Sequence, residues 1–115
     1  MPELHHKIDN YLVRLYGNDT KGRLTRIDDK EILLYAGGKL VGHASFAKEG
    51  NKTGDSHVYQ DVVYFRAPSS QYPQVIDLLR NENPVYIAWR PIADPKEPKD
   101  GDAYFYAGQE LVESK

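Results

Sequence analysis

Three side chains in the middle of the chain are of the types that carry out hydrolysis: His43, Ser45 and Asp61. His43 and Ser45 lie two residues apart in a stretch of β-strand character, and centring the next polar loop near Lys52 puts Asp61 across from His43. Nucleophile, base and orienting carboxylate are the roles these types fill. A serine nucleophile, however, normally needs a sharp exposed turn and nearby oxyanion donors, which a regular strand does not supply. We therefore predict no catalytic residue and interpret His43 as hydrogen-bonded to a carboxylate. A one-residue change in strand register would separate the pair.

A second group combines planar cations with an aromatic ring: Arg14, Tyr16, Arg23 and Thr25. If the turn-forming segment 17–22 is a hairpin loop, Tyr16 lies opposite Arg23 and Arg14 opposite Thr25, all on one face. The apolar residues alternate onto the other face, so this face is expected to point outward. Guanidinium groups beside a stackable ring suit carboxylates, phosphates or bases of a partner. We predict these four residues as the binding site; a solvated face that only keeps the sheet soluble is the alternative.

The remaining histidines and carboxylates show no metal-site spacing. His5 and His6 are adjacent, so regular strand structure directs them to opposite sides. The carboxylates within 94–102 lack the spacing of a calcium loop and are interspersed with lysines. The chain has no cysteine, which excludes disulfides, a thiolate nucleophile and cysteine metal sites. We expect no metal and no cofactor.

Gly37 and Gly38 precede Lys39, a combination that raises the question of a phosphate-binding loop. They separate two runs of β character by the two residues typical of a type I′ or II′ hairpin. A phosphate-binding loop requires a following helix and a serine or threonine after the lysine, whereas here a strand follows. We predict a hairpin turn, with Ile32 opposite His43.

The elements that must position these residues are mostly strands. Alternation of apolar and polar residues predicts strands in these segments: YLVRLYG, RLTRI, ILLYA, KLVGHASF, HVYQDVVYFRA, VYIAWR and AYFYAGQELV. The segment DDKE is predicted as a break between strands, and the polar stretch 48–56 as a hairpin loop. In VYIAWR, one face is expected to carry Val85, Ile87 and Trp89.

One segment has helical periodicity. Its apolar residues are spaced i, i+3, i+4 and i+7: Tyr72, Val75, Ile76 and Leu79. Ser69 or Ser70 is placed to cap the start, and Pro84 prevents continuation. The spacing predicts one helix at about residues 71–82.

The order of elements predicts an α+β fold that is mostly β. We expect an antiparallel curved sheet, or a small barrel or sandwich, of about six to seven strands with one helix. Residues 1–115 are predicted as a single domain. Residues 1–8 are expected to be a frayed N-terminus, and 48–56 and 92–101 to be exposed loops.

Composition limits the function classes. Hydrophobic residues make up 40% and charged residues 28% of the chain, a globular balance, and the net charge of −2 gives no overall attraction to polyanions. No apolar run approaches the length that spans a bilayer, and the first residues do not resemble a signal peptide. We expect a soluble, cytoplasmic protein with no membrane partner.

The leading functional hypothesis is a small non-catalytic binding or accessory module that acts through protein–protein interaction with an unknown partner. Nine tyrosines and the arginine-rich segment 14–26 are typical of interaction surfaces. The same interleaving of rings and cations leaves a single-stranded nucleic-acid-binding small β-barrel as the alternative. A hydrolase-like enzyme using His43 is the third hypothesis.

Overall fold

The computed structural model describes residues 3–23, 28–92 and 101–108. Within these ranges the chain forms eight strands, one 3-10 turn and one α-helix. The strands are β1 (Leu4–Ile8), β2 (Asn10–Leu15), β3 (Asp28–Ala36), β4 (Lys39–Ala47), β5 (His57–Tyr59), β6 (Val62–Pro68), β7 (Val85–Pro91) and β8 (Gly101–Ala107). The 3-10 turn Ser69–Gln71 leads directly into α1 (Tyr72–Asn81).

The described strands form two open sheets, of order β1-β7-β8 and β2-β3-β4-β6-β5. All neighbours are antiparallel except β4 and β6, which run parallel. The predicted mostly β fold with one helix is confirmed. The strand number is eight rather than six or seven, and a closed barrel is wrong. The prediction of a single domain over 1–115 stays a prediction.

The inner faces of the two sheets share one hydrophobic core. Its largest fully buried side chains come from both sheets: Trp89, Phe46, Ile32, Leu34, Ile87 and Val63. The rings of Phe65 and Phe105 meet edge-to-face between the sheets, with centroids 4.9 Å apart. The predicted inward face of β7 is confirmed, because its alternate residues 85, 87 and 89 are all buried.

Helix α1 confirms the predicted helix. The expected apolar face is the one that packs against the core: Val75 and Ile76 are buried, and Tyr72 and Leu79 are partly buried. The predicted serine cap is wrong, because the 3-10 turn occupies 69–71 and no side chain caps the helix. A proline in the first helical turn starts the helix instead, where its missing N–H has no intrahelical partner to lose.

Gly37 and Gly38 form the predicted turn between β3 and β4. Their φ angles are +60° and +77°, in the left-handed region that a type I′ turn requires at both central positions. Ala36 pairs with Lys39 immediately beside the turn, and Tyr35 pairs with Leu40 next to them. The glycine pair is therefore a chain reversal, as its spacing predicts.

A β-bulge beyond this turn changes the faces of β4. Leu34 pairs with Gly42 instead of the preceding residue, so β4 carries one extra residue. A Cβ on Gly42 would lie 2.9 Å from Cδ1 of Ile87 and of Leu34, so glycine allows the sheets to approach here. The predicted pairing of Ile32 with His43 is wrong, because the bulge moves His43 to the outer face.

The structure also corrects three local predictions. Residues 4–8, predicted to be frayed, form β1 and pair with β7. The segment DDKE, predicted to be a break, belongs to β3, which pairs with β2. The long strand predicted over 57–67 is divided into β5 and β6 by a turn whose residues Gln60 and Asp61 have positive φ.

The predicted loops are described only in part. Residues 48–56 contain no helix or strand, in agreement with the prediction of a loop, but they do not connect antiparallel neighbours. Of the loop predicted at 92–101, residues 93–100 lie outside the described ranges and Gly101 already belongs to β8. No helix in the described ranges is long and apolar enough to cross a membrane.

Candidate functional site

The outer face of the five-stranded sheet brings together polar and aromatic side chains from four strands. We call this set the polar face: Arg14, Glu31, His43, Ser45, Tyr64 and Arg66. Register aligns its members in two rows across the sheet. One row runs from β2 to β6 as Arg14, Glu31, Ser45 and Arg66. The next runs from β2 to β5 as Leu12, Leu33, His43, Tyr64 and His57.

Glu31 is the hub of the polar face. Its side chain is 7% exposed, and burial of a carboxylate requires compensating hydrogen bonds. The hydroxyl of Tyr16 and Nη1 of Arg14 donate to Oε1, the latter at 3.2 Å. His43 Nε2 lies 2.9 Å from Oε2. Glu31 therefore fixes three side chains that approach it from different strands and from the end of β2.

The same contacts determine the charge of Glu31. Burial opposes ionisation, whereas hydrogen bonds from Tyr16, His43 and Arg14 favour it, and the net result lowers the pKa of the Glu31 carboxyl. Hydrogen bonding with Tyr16 and then with Glu31 raises the pKa of the Arg14 guanidinium. The centre of the polar face is consequently a carboxylate beside a permanent cation.

His43 and Ser45 extend this network along β4. Ser45 Oγ lies 3.3 Å from His43 Nδ1, so serine, histidine and Glu31 form a hydrogen-bonded chain. The prediction that Asp61 is the carboxylate hydrogen-bonded to His43 is wrong. Because β4 and β6 run parallel, the residue opposite His43 is Tyr64, and Asp61 lies in the turn between β5 and β6.

The serine of this chain is poorly placed for nucleophilic attack. Ser45 is only 3% exposed, in the middle of a strand paired on both sides by β3 and β6. A substrate carbonyl would have to reach a covered hydroxyl, and backbone N–H groups within a two-sided ladder are committed to neighbouring strands. The geometry therefore favours a role of His43 and Ser45 in orienting Glu31.

The second row contains a line of rings. Tyr64 stacks on His57 with centroids 4.6 Å apart and an interplanar angle of 6°. Its ring also lies 5.7 Å from that of His43, at a tilt of 49°. Cross-strand ring pairs of this kind stabilise a sheet and present a firm surface.

The two arginines of the polar face are each paired with a carboxylate. Arg66 Nη1 donates to Asp28 at 3.2 Å, and Arg14 donates to Glu31 at the same distance. Each pair cancels most of the field that its cation would exert at longer range. The polar face is therefore charged but carries no surplus of positive charge in these pairs.

The structure brings together two of the four predicted binding residues. Arg14 and Tyr16 converge on Glu31, whereas Arg23 pairs with Asp19 in the segment after β2, at 2.7 Å. The predicted pairing of Tyr16 with Arg23 is wrong, since the backbone N–H of Tyr16 donates to the carbonyl of residue 29 in β3. Thr25 lies outside the described residues.

Glu31 is the site residue that the sequence analysis missed. A usable signal existed, because a glutamate that alternates within a run rich in isoleucine and leucine has to find a partner when that run becomes a central strand. Its partners come from β2 and β4, and both depend on register. The signal therefore indicates a paired carboxylate without identifying the pair.

Neither a metal-ligand cluster nor a similarity to known proteins assigns a function to the described part of this site. In residues 3–23, 28–92 and 101–108, no group of three or more histidine, aspartate or glutamate side chains could hold a metal ion. No protein-family model, curated protein or solved structure matches the chain. The geometry of the polar face is therefore the basis for inferring a function.

Proposed function

We propose that this chain is a non-catalytic binding module that docks a protein partner on the polar face, with Arg14 as its principal contact. The supporting observation is the state of Arg14: its side chain is 51% exposed, yet its guanidinium is hydrogen-bonded to the nearly buried Glu31. An arginine that is already oriented loses less conformational entropy when it binds a carboxylate or carbonyl of a partner.

The surroundings of Arg14 favour a protein partner. Leu12 lies on the same face of β2, two residues away, and is 46% exposed. An oriented arginine beside a partly buried tyrosine, Tyr16, is typical of protein interaction hot spots, and Leu12 adds exposed apolar area. A polypeptide can supply both an apolar side chain to contact Leu12 and a carboxylate or carbonyl to bind Arg14.

The line of rings formed by His43, Tyr64 and His57 keeps single-stranded nucleic acid as the second candidate. The pairing of Arg14 and Arg66 with carboxylates weighs against it, because it removes the surplus positive field that binding of a polyanion depends on. A single partner carboxylate needs only a direct contact with the exposed guanidinium of Arg14. A hydrolase using His43 is not proposed, because Ser45 is covered.

Site-specific photo-crosslinking tests the proposed function. A photoreactive residue replaces Leu12 in cells of the source organism, with the same residue at the exposed helix position Arg80 as the matched control. We expect a protein adduct from position 12 that position 80 does not give, and Arg14→Gln should weaken binding of that protein roughly tenfold or more. Equal adducts from both positions, or undiminished affinity of a folded Arg14→Gln variant, would remove the polar face from consideration.

Titration with labelled single-stranded oligonucleotides at two salt concentrations distinguishes the second candidate. Binding that weakens steeply with salt and is reduced by Tyr64→Ala would support nucleic acid in place of a protein. We expect no such binding. The variant Tyr59→Ala, at the exposed end of β5, serves as the control.

A further inference from the structure

The pairing of β2 leaves a row of backbone groups on its outer side. Antiparallel neighbours alternate between hydrogen-bonded and non-hydrogen-bonded pairs. The N–H of Tyr16 donates to the carbonyl of Asp29 at 2.8 Å, so Arg14, of the same parity, also directs its backbone groups to β3. The N–H and carbonyl groups of Val13 and Leu15 therefore point away from β3. On that side β2 is the outermost strand in the order of described strands.

Side chains at this edge are unusually exposed for a strand of leucine and valine. Leu15 is 66% exposed, and Leu12 is also exposed. Sheet edges are normally protected by prolines, inward charges or covering segments, and β2 has no proline. Toward the start of β2, the side chain of Asn10 accepts the N–H of Tyr11 at 2.9 Å, which occupies one edge group there. The available edge thus lies around residues 13–15, directly beside Arg14.

We propose that the partner binds as an added β-strand along β2, through an extended segment with an acidic residue beside Arg14 and an apolar residue two positions away beside Leu12. This inference rests on the proposed function and specifies its mode. Cross-strand neighbours share a face, so residues next to Arg14 and Leu12 on an added strand lie on the polar face as well. Main-chain hydrogen bonds to Val13 and Leu15 supply affinity, and the charge and apolar contacts supply selectivity.

Charge complementarity selects a separate partner over a second copy of this chain. Antiparallel self-pairing about Val13 would put Leu12 opposite Arg14 of the other copy, with no carboxylate of β2 near either arginine. Glu31 engages only Nη1 of Arg14 in this contact, and the half-exposed guanidinium has further N–H donors. A carboxylate of an acidic segment can accept a charge-assisted hydrogen bond from those donors. Self-association is consequently an outcome of the test and not the expected one.

The probe is a phage-displayed library of random nonapeptides selected on the full chain. We expect enrichment of peptides in which an apolar and an acidic residue are separated by one position, in either order according to strand direction. A synthetic peptide of the enriched sequence is then made with single N-methyl groups at successive positions. Methylation at alternate positions should abolish binding, because only those N–H groups face β2. Uniform tolerance of N-methylation, or no enrichment of this spacing, would overturn strand addition.

Two variants of the protein complete the test. Leu15→Pro removes an outward N–H without removing a hydrogen bond to β3, and Leu15→Thr retains that N–H as the matched control. We expect the proline variant alone to weaken peptide binding roughly tenfold or more. Arg14→Gln should remove the preference, so that a peptide with glutamine in place of its acidic residue binds the variant as well as the original peptide does. The peptide experiment remains decisive if the proline variant fails to fold.

The outcomes separate this inference from the proposed function. If Arg14→Gln weakens the crosslinked partner whereas Leu15→Pro and peptide N-methylation have no effect, the polar face binds protein without strand addition, and the inference is wrong. If the chain forms dimers in sedimentation experiments that Leu15→Pro dissociates, and no peptide is enriched, β2 pairs with a second copy and the inference is again wrong. Loss of the partner with both variants supports both proposals.

Discussion

At the scale of single residues, Glu31 shows how a buried carboxylate organises a surface. It lies beneath the half-exposed Arg14, and its other contacts come from Tyr16 and His43. Removing one partner of such a cluster leaves the others short of hydrogen bonds, which costs more than the net worth of the contact itself. The arrangement of the exposed side chains therefore depends on a carboxylate that is itself nearly buried.

Replacing this carboxylate should make stability less dependent on pH. The pKa of Glu31 is lowered in the folded protein, so its contribution is complete above its ordinary pKa of 4.5 and is lost as the pH falls through the lower folded value. We expect Glu31→Gln to cost about 1–3 kcal/mol at pH 7 and clearly less at acidic pH. Denaturant titrations at both pH values measure this, with the exposed Glu49→Gln as control. An equal cost at the two pH values would contradict the assigned ionisation.

At the scale of elements, β4 has a glycine at a close contact with the other sheet. Gly42 lies where a Cβ would crowd Ile87 and Leu34, and the bulge beside it determines that His43 faces outward. Sequence alternation alone cannot reveal such a contact, because the crowding atom of Ile87 belongs to a strand of the other sheet. The position of His43 in the candidate site thus follows from a bulge that lies next to this close contact.

Gly42→Ala should therefore destabilise the protein by about 1–3 kcal/mol, the usual cost of forcing extra volume into a packed core. Gly54→Ala is the matched control, because nothing lies within 4 Å of the Cβ it would add. Thermal or denaturant unfolding of the two variants compares them directly. Similar stabilities would show that the sheets have room at Gly42 and that the bulge has another cause.

Helix α1 contributes Val75 and Ile76 to the same core. Ile76 is buried, so Ile76→Ala should lower the free energy of unfolding by about 2–5 kcal/mol. Leu79 is only partly buried, so Leu79→Ala should lower it by less. Glu82→Ala, at an exposed position after the last helical turn, should change stability by no more than about 0.5 kcal/mol. Equal denaturation midpoints for the variants at 76 and 82 would mean that this face does not close the core.

At the scale of the whole molecule, the two sheets share their core through Trp89. This residue is 1% exposed and is the chain's one tryptophan. Because Trp89 belongs to a core that contains side chains of both sheets and α1, unfolding of that core should change its fluorescence. The fluorescence and the far-ultraviolet circular dichroism are expected to give one coincident denaturation transition. Separate midpoints would show that the two sheets unfold independently.

The sequence by itself determined the features that short-range chemistry controls. Adjacent glycines at two-residue spacing specified the turn between β3 and β4, and helical spacing identified the buried face of α1. Alternation likewise identified the inward residues of β7, and composition with charge placed Arg14 and Tyr16 among candidate binding residues. Each of these depends on residues within about one or two turns or a single strand, whose preferences can be read locally.

Only the tertiary structure decided which strands are neighbours and in what register. The parallel pairing of β4 with β6 puts Tyr64 beside His43 and leaves Asp61 in a turn, and β3 rather than residues 23–27 supplies the partner of Arg14. Register is chosen by burial across the whole core, where a shift of one residue exchanges the two faces of a strand. For this reason the sequence predicted that His43 is hydrogen-bonded to a carboxylate, whereas the register of the sheet determined that this carboxylate is Glu31.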